Sequence, residues 1–195
     1  FTLIGATQRL GLLTPAMRSR FGIVEHLEFY SPDSLQQILT ANAKRLKLKA
    51  ADDALRELSH RSRGTPRIAN RLLRRARDYA AVKAQGHLTI EVTRQSLELE
   101  GIDDRGLDQK DRQFLRTLIE VYGGGPVGID AIAATLGEER DTLEDVIEPY
   151  LLQNKPPMVT RSPRGRRATK AAYEHLKLKW KPPEPGDEGL FTSES

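Results

Sequence analysis

The chain has 195 residues, of which 38% are hydrophobic and 30% charged, with a net charge of +4 and no cysteine. This excludes a disulfide framework and a thiolate metal site, and no apolar run approaches the roughly 18 residues a membrane helix needs. The length suits one large domain or two small ones, and the modest apolar content favours small helical modules over one thick core.

Phe1 opens the chain without a basic-then-apolar signal segment, so the start reads as a cut inside a longer protein. A reducing cytoplasm is the expected location. The charge is uneven. From Met158 to Lys181 eight Lys or Arg stand against one acid, Glu174, and from His60 to Arg77 seven Arg stand against none. Such blocks are solvated faces or phosphate sites, and local context decides between them.

The run Phe1 to Ala6 is apolar and too short for a helix, which predicts a strand buried on both faces. Thr7 would sit at its carboxyl end, where open α/β sheets bind ligands. Thr14-Pro15 predicts a short capped helix that carries Arg18, Ser19 and Arg20 and breaks at Gly22. Ile23 to Tyr30 alternates loosely, as a second strand would.

Ser31-Pro32 opens a helical stretch through Leu35, Ile38, Leu39, Asn42 and Leu46. A second helix is predicted from Asp52 or Asp53 to Ser59. Thr65 at the N-cap and Pro66 in the first turn start a third, with an apolar stripe at Ile68, Leu72, Ala76, Tyr79 and Ala80 and a basic one at Arg67, Arg71, Arg74 and Arg75. A fourth spans Ile90 to Leu99. Residues 31–105 therefore read as a helical module, with Gly101 to Leu107 as a polar linker.

The second module, 106–180, opens with an amphipathic helix from Lys110 to Tyr122, stopped by Gly123-Gly124-Gly125-Pro126. Ile129 to Leu136 and Arg140 to Gln153 follow as helices. Met158-Val159-Thr160, a turn at Ser162-Pro163-Arg164-Gly165 and a return segment make a basic hairpin. Three helices followed by such a hairpin predict a winged helix. Residues 181–195 are rich in Pro, Gly and acid, which predicts a disordered tail.

In a helix-turn-helix the second helix normally enters the major groove. Here that helix carries Asp141, Glu144, Asp145 and Glu148 against one cation, and four carboxylates would repel phosphate. The hairpin carries Arg161, Arg164, Arg166 and Arg167. The expectation is that the wing contacts DNA backbone, which gives affinity without reading sequence. Two prolines, Pro156 and Pro157, cannot donate to a ladder and predict a short or edge first wing strand. His26, His60, His87 and His175 lack metal-ligand spacing, and Trp180 reads as packing on the winged helix.

Five motifs occur in order: Gly5-Ala6-Thr7; Pro15-Ala16-Met17-Arg18-Ser19-Arg20-Phe21-Gly22; Gly64-Thr65-Pro66-Arg67; Gly137-Glu138-Glu139-Arg140-Asp141-Thr142; and Pro163-Arg164-Gly165-Arg166. Together they resemble the RuvB family of ring-forming AAA+ ATPases, from Phe1 to about Leu178. The resemblance implies a mainly α protein with short strands. Residues 1–30 would be the C-terminal edge of an AAA+ α/β ATPase domain, followed by a helical lid and a winged helix.

It further implies a homohexameric motor on double-stranded DNA, migrating Holliday junctions beside a RuvA-like junction-binding partner, with ATP and Mg2+ in the complete protein. Thr7 matches sensor 1, Arg20 the arginine finger acting in trans, and Arg67 sensor 2, with Pro66 and Tyr30 beside the nucleotide. Arg18 remains the rival of Arg20. A finger guanidinium is worth about 10³–10⁵ in rate in related NTPases. The 195 residues contain no G-x-x-x-x-G-K-[ST] loop, so this chain by itself is expected neither to hold ATP tightly nor to hydrolyse it. A non-catalytic winged-helix DNA-binding module and a ring-inserting regulator are the alternatives.

Overall fold

Capping and apolar periodicity place the helices of the first module, as seen in a computed structural model that describes residues 1–7, 10–180 and 182. Helix α2, Pro32–Arg45, is preceded by Ser31, whose hydroxyl accepts the Ser34 N–H at 3.1 Å. Pro32, which has no N–H to lose, occupies its first turn. The spacing of Leu35, Leu39 and Ala43 puts one stripe inward. Helices α3 (Asp52–His60) and α4 (Pro66–Lys83) pack on it, α5 (Ile90–Leu99) packs on α3 and α4, and Leu55, Leu58, Leu72, Leu73 and Leu97 close the core. Full burial of each such side chain contributes roughly 1.5–3 kcal/mol. A two-residue parallel ladder joins β1 (Lys49–Ala50) to β2 (His87–Leu88).

In the second module α6, Gln109–Arg116, opens on a reciprocal cap. Asp108 accepts from the Asp111 N–H at 3.1 Å, and Asp111 accepts from the Asp108 N–H at 2.8 Å. The helix widens into a π segment over Thr117–Val121 and ends at the triple glycine. Helix α7 is Ile129–Leu136. The next helix, read as continuous from Arg140 to Gln153, consists of α8 (Arg140–Thr142), a π segment (Leu143–Ile147) and α9 (Glu148–Gln153). Pro149 accounts for the widening, because its ring lacks an N–H and crowds the carbonyl one turn back.

Strands β3 (Val159–Ser162) and β4 (Gly165–Ala168) form the antiparallel wing, and Val127 bridges to Arg166 as a third partner. Helix α10 (Lys170–His175), which the sequence suggested only as a return segment, seats Tyr173 in the core with Phe114, Leu118 and Leu151. Trp180 packs edge-on against Tyr173 at 4.9 Å between centroids, as expected of a core neighbour.

Three expectations change. Phe1 to Ala6 and Ile23 to Tyr30 form no strand, and Phe1, Leu3, Ile4, Ile23 and Leu27 are exposed. A strand needs a neighbour for its N–H and C=O groups, and no described strand lies beside either segment. Between them form a 3-10 turn, Leu10–Leu12, and the short helix α1, Pro15–Arg18, capped by the Thr14 hydroxyl at 3.3 Å from the Met17 N–H. The segment Gly101 to Leu107 is no slack linker either, because Ile102 and Leu107 are buried. The tail expected at 181–195 lies outside the described residues apart from Pro182. No described helix is long and apolar enough to cross a membrane.

Candidate functional site

The turn before α4 gathers three of the residues singled out by sequence. Gly64 adopts φ +64°, a left-handed conformation that favours glycine. A Cβ there would fall 2.6 Å from Cβ of Phe29, so only hydrogen lets the two chains meet. The Gly64 carbonyl accepts the Tyr30 N–H at 2.9 Å. Tyr30 is thereby fixed beside Thr65-Pro66-Arg67, although 33 positions separate it from Gly64's neighbour Arg63 in the chain. Pro66 is the first residue of α4 and Arg67 the second. Arg67 is exposed, with no ion-pair partner among the described residues.

Thr65 holds the N-cap position, but its hydroxyl does not cap. It donates to the Arg63 carbonyl at 3.2 Å instead. The first N–H groups of α4 therefore stay unbonded to any side-chain cap, in the turn that carries Arg67. Both features attract an anion.

The other two candidates lie in the first 30 residues. Arg18 ends α1 and Arg20 follows in the turn after it, and both are exposed. Thr7 is exposed without regular structure. The Phe21 ring ties these stretches together, lying 3.5 Å from where a Cβ on Gly5 would stand.

On the wing the four arginines divide. Arg161 and Arg166 are cross-strand partners, a placement of like charges that costs stability unless neutralised. Glu148 and Glu144 supply the neutralisation. Arg166 is only 8% exposed, with Nε 2.6 Å from Glu148 Oε1, Nη2 3.0 Å from Glu148 Oε2 and Nη2 2.8 Å from Glu144 Oε1. Arg161 reaches Glu144 at 3.0 Å and Glu148 at 3.2 Å from a half-exposed position. Arg164 sits exposed at the turn, and Arg167 is half-buried opposite Thr160.

Two readings are thereby corrected. Arg166 does not face outward, because a buried guanidinium requires carboxylate partners and takes them from the neighbouring helix. Glu144 and Glu148 are not part of a repulsive outer face, because they serve those arginines. Only Asp141 and Asp145 of the four acids are exposed. The Arg140 hydrogen bond holds the Glu144 carboxyl below its ordinary range; burial opposes it, and the Arg166 hydrogen bond and the charges of both arginines add to the lowering. The acidic period i, i+4 at Glu144 and Glu148, opposite a basic strand, was the signal that could have exposed this pairing.

His175, given no role by its spacing, donates from Nε2 to Asp103 Oδ2 at 2.8 Å. Asp103, Asp104 and His175 bring ligand atoms within 4.8 Å of one another. Arg112 also reaches Asp103, at 3.3 Å, and two backbone N–H groups bond the same side chain. This arrangement is an ion-pair network bracing the connector.

Residues 30–103 match the RuvB AAA lid domain and residues 104–177 the RuvB C-terminal winged helix domain. A point mutant of Thermotoga maritima RuvB is 46% identical, covering 91% of this chain and 58% of its own, with a TM-score of 0.86. The Thermotoga maritima RuvB Holliday junction branch migration motor is 45% identical over 88% of this chain and 57% of its own, with a TM-score of 0.83. The chain thus spans a little under three fifths of the length of the solved proteins it matches. Two adjoining family matches, and a backbone that follows the Thermotoga proteins through both modules, carry one conclusion: this chain belongs to the RuvB family and supplies its lid and winged-helix portion.

Proposed function

We propose that the chain is part of an ATP-dependent DNA motor that drives Holliday junction branch migration in recombination and repair, in the cytoplasm, as a homohexameric ring beside a RuvA-like partner. The observation that carries this reading is the turn that holds Tyr30 against Gly64-Thr65-Pro66-Arg67 in a chain 46% identical to a RuvB protein.

ATP, with Mg2+, supplies the phosphoryl group whose hydrolysis powers such a motor. Arg67, solvent-facing at the start of α4, fits a phosphate by charge and by its position beside uncapped N–H groups. Pro66 and Tyr30 border it. Arg20 is assigned the finger, a planar guanidinium with five N–H donors that offsets charge on a neighbouring subunit's triphosphate. Thr7 is assigned the orienting hydroxyl of sensor 1. Arg161, Arg164 and Arg167 supply the wing's contact with duplex backbone, and Arg166 holds the hairpin on its helix. A contact to phosphate rather than to bases suits movement along any sequence.

The test is made in the complete motor that contains this chain. Arg20→Ala is expected to cut ATP turnover by about 10³-fold or more, while Arg18→Ala leaves most of it. Mixed rings should regain turnover at interfaces with an intact finger. Turnover at the parental rate in Arg20→Ala rings sinks the assignment.

A further inference from the structure

Arg63 stands one residue before Gly64 and four before Arg67, with φ +53°. Its backbone belongs to the turn that holds Tyr30. Its side chain leaves the helical module and enters the winged helix. Nε donates to the Gly106 carbonyl at 3.0 Å, and Nη2 reaches Asp108 Oδ2 at 2.9 Å. The same Nη2 donates to Asp111 Oδ2. The Arg63 Cζ lies over the Tyr150 ring, 5.0 Å from the ring centre. One side chain thus engages the connector, the cap of α6 and helix α9.

The connector allows little play around this contact. Tyr150 donates its hydroxyl to the Arg105 carbonyl at 2.5 Å. Gly106, at φ +74°, is pressed so close that a Cβ would lie 2.9 Å from the Arg61 carbonyl and 3.0 Å from the Tyr150 oxygen. Arg112 donates to the Gly101 carbonyl at 2.9 Å and the Leu107 carbonyl at 2.7 Å. Asp111 is fully buried and Arg63 nearly so, where charged hydrogen bonds are strong and slippage leaves a charge unpaired.

We propose that Arg63 is a positioning residue that locks the lid and the winged helix into one body, so that a shift of the Gly64-Thr65-Pro66-Arg67 turn is delivered to the wing. The mechanical consequence rests on the function proposed above; the lock itself does not. Arg63 touches neither nucleotide nor DNA in this scheme. It acts through Asp111 and Tyr150.

The chain has no cysteine, so spin labels at Lys83→Cys, in the lid, and Ala134→Cys, in the winged helix, report one distance. The labelled parent chain is expected to give a single narrow distribution. Arg63→Ala should broaden or split it. Arg63→Lys keeps the charge but not the planar fork, and should broaden it as well. If Arg63→Ala fails to fold, Arg63→Lys decides the matter. A parental distribution in a folded Arg63→Lys chain overturns the lock. This measurement needs neither ATP nor DNA, so its failure leaves the motor assignment standing, and failure of the Arg20 test leaves the lock standing. In the complete motor Arg63→Ala should retain ATP turnover while branch migration per ATP falls about 5- to 150-fold, the range of ordinary coupling energies. An unchanged ratio of migration to turnover overturns the transmission.

Discussion

Arg166 and Glu148 face each other inside the winged helix as a two-pronged pair, Nε to Oε1 at 2.6 Å and Nη2 to Oε2 at 3.0 Å, with both side chains less than a tenth exposed. The pair fastens β4 to α9 and leaves a strongly basic hairpin with one cation turned inward.

Removing either partner should therefore damage stability rather than only DNA affinity. Glu148→Gln leaves the Arg166 charge buried with Glu144 alone, and Arg166→Ala leaves Glu148 buried beside Arg161. Each is expected to cost about 3–5 kcal/mol, the usual loss when one member of a buried pair is removed. Urea melts followed by Trp180, which packs on Tyr173 inside this module, measure the loss. A cost below about 1 kcal/mol would place the pair among surface ion pairs.

Arg164, exposed at the wing's turn, should behave in the opposite way. Arg164→Ala is expected to lower the melting temperature far less than Arg166→Ala does and to weaken duplex DNA binding equally for all sequences. If Arg164 contacts one phosphate, the slope of log K against log salt should become shallower by about 0.9. Fluorescence anisotropy at several salt concentrations reads it. An unchanged slope removes Arg164 from the DNA contact.

The junction between the modules should carry its own pH dependence. Burial pushes the Asp111 carboxyl up to about 7, with neighbouring Asp108 adding to the rise and the Arg63 charge opposing it. Tyr150 packs on the same guanidinium. In the unfolded chain the group titrates near 3.8. Between those values the folded state binds more protons than the unfolded one, so stability falls as pH rises from about 4 through about 7. Asp103 acts outside that window. Burial pushes its carboxyl up, but the His175 hydrogen bond and the Leu107 and Arg105 N–H groups outweigh it and hold it below 3.8. Carboxyl-carbon NMR should show Asp111 titrating near 7, and a midpoint near 4 would refute the sign of the effect.

Helix existence was legible because it depends on local chemistry. Pro32, Pro66 and Thr14 mark helix starts by what they do to their own backbone, and the Ile90–Leu99 and Ile129–Leu136 helices run between the residues that spacing and Gly137 indicate. The two N-terminal strands were misjudged because a short apolar run or a loose alternation shows only that a segment could pair. Whether it does depends on a neighbour, and here Ile4 and Leu27 meet none among the described residues. Helix α10 was missed because six residues carry too little periodicity to stand apart from a strand's return.

The order of residues alone determined the family resemblance, the two helical modules and the basic sign of the wing, since motifs, caps and charge are properties of short stretches. Only the folded chain decided which cations face outward. Arg164 and Arg166 are two positions apart, yet one lies exposed and the other is buried against Glu148. Likewise Arg63 reaches Asp111 across 48 positions. Pairing of buried charge is a long-range event. It is set by which surfaces pack; the i, i+4 acids Glu144 and Glu148 signal that a cation is wanted, but not which arginine supplies it.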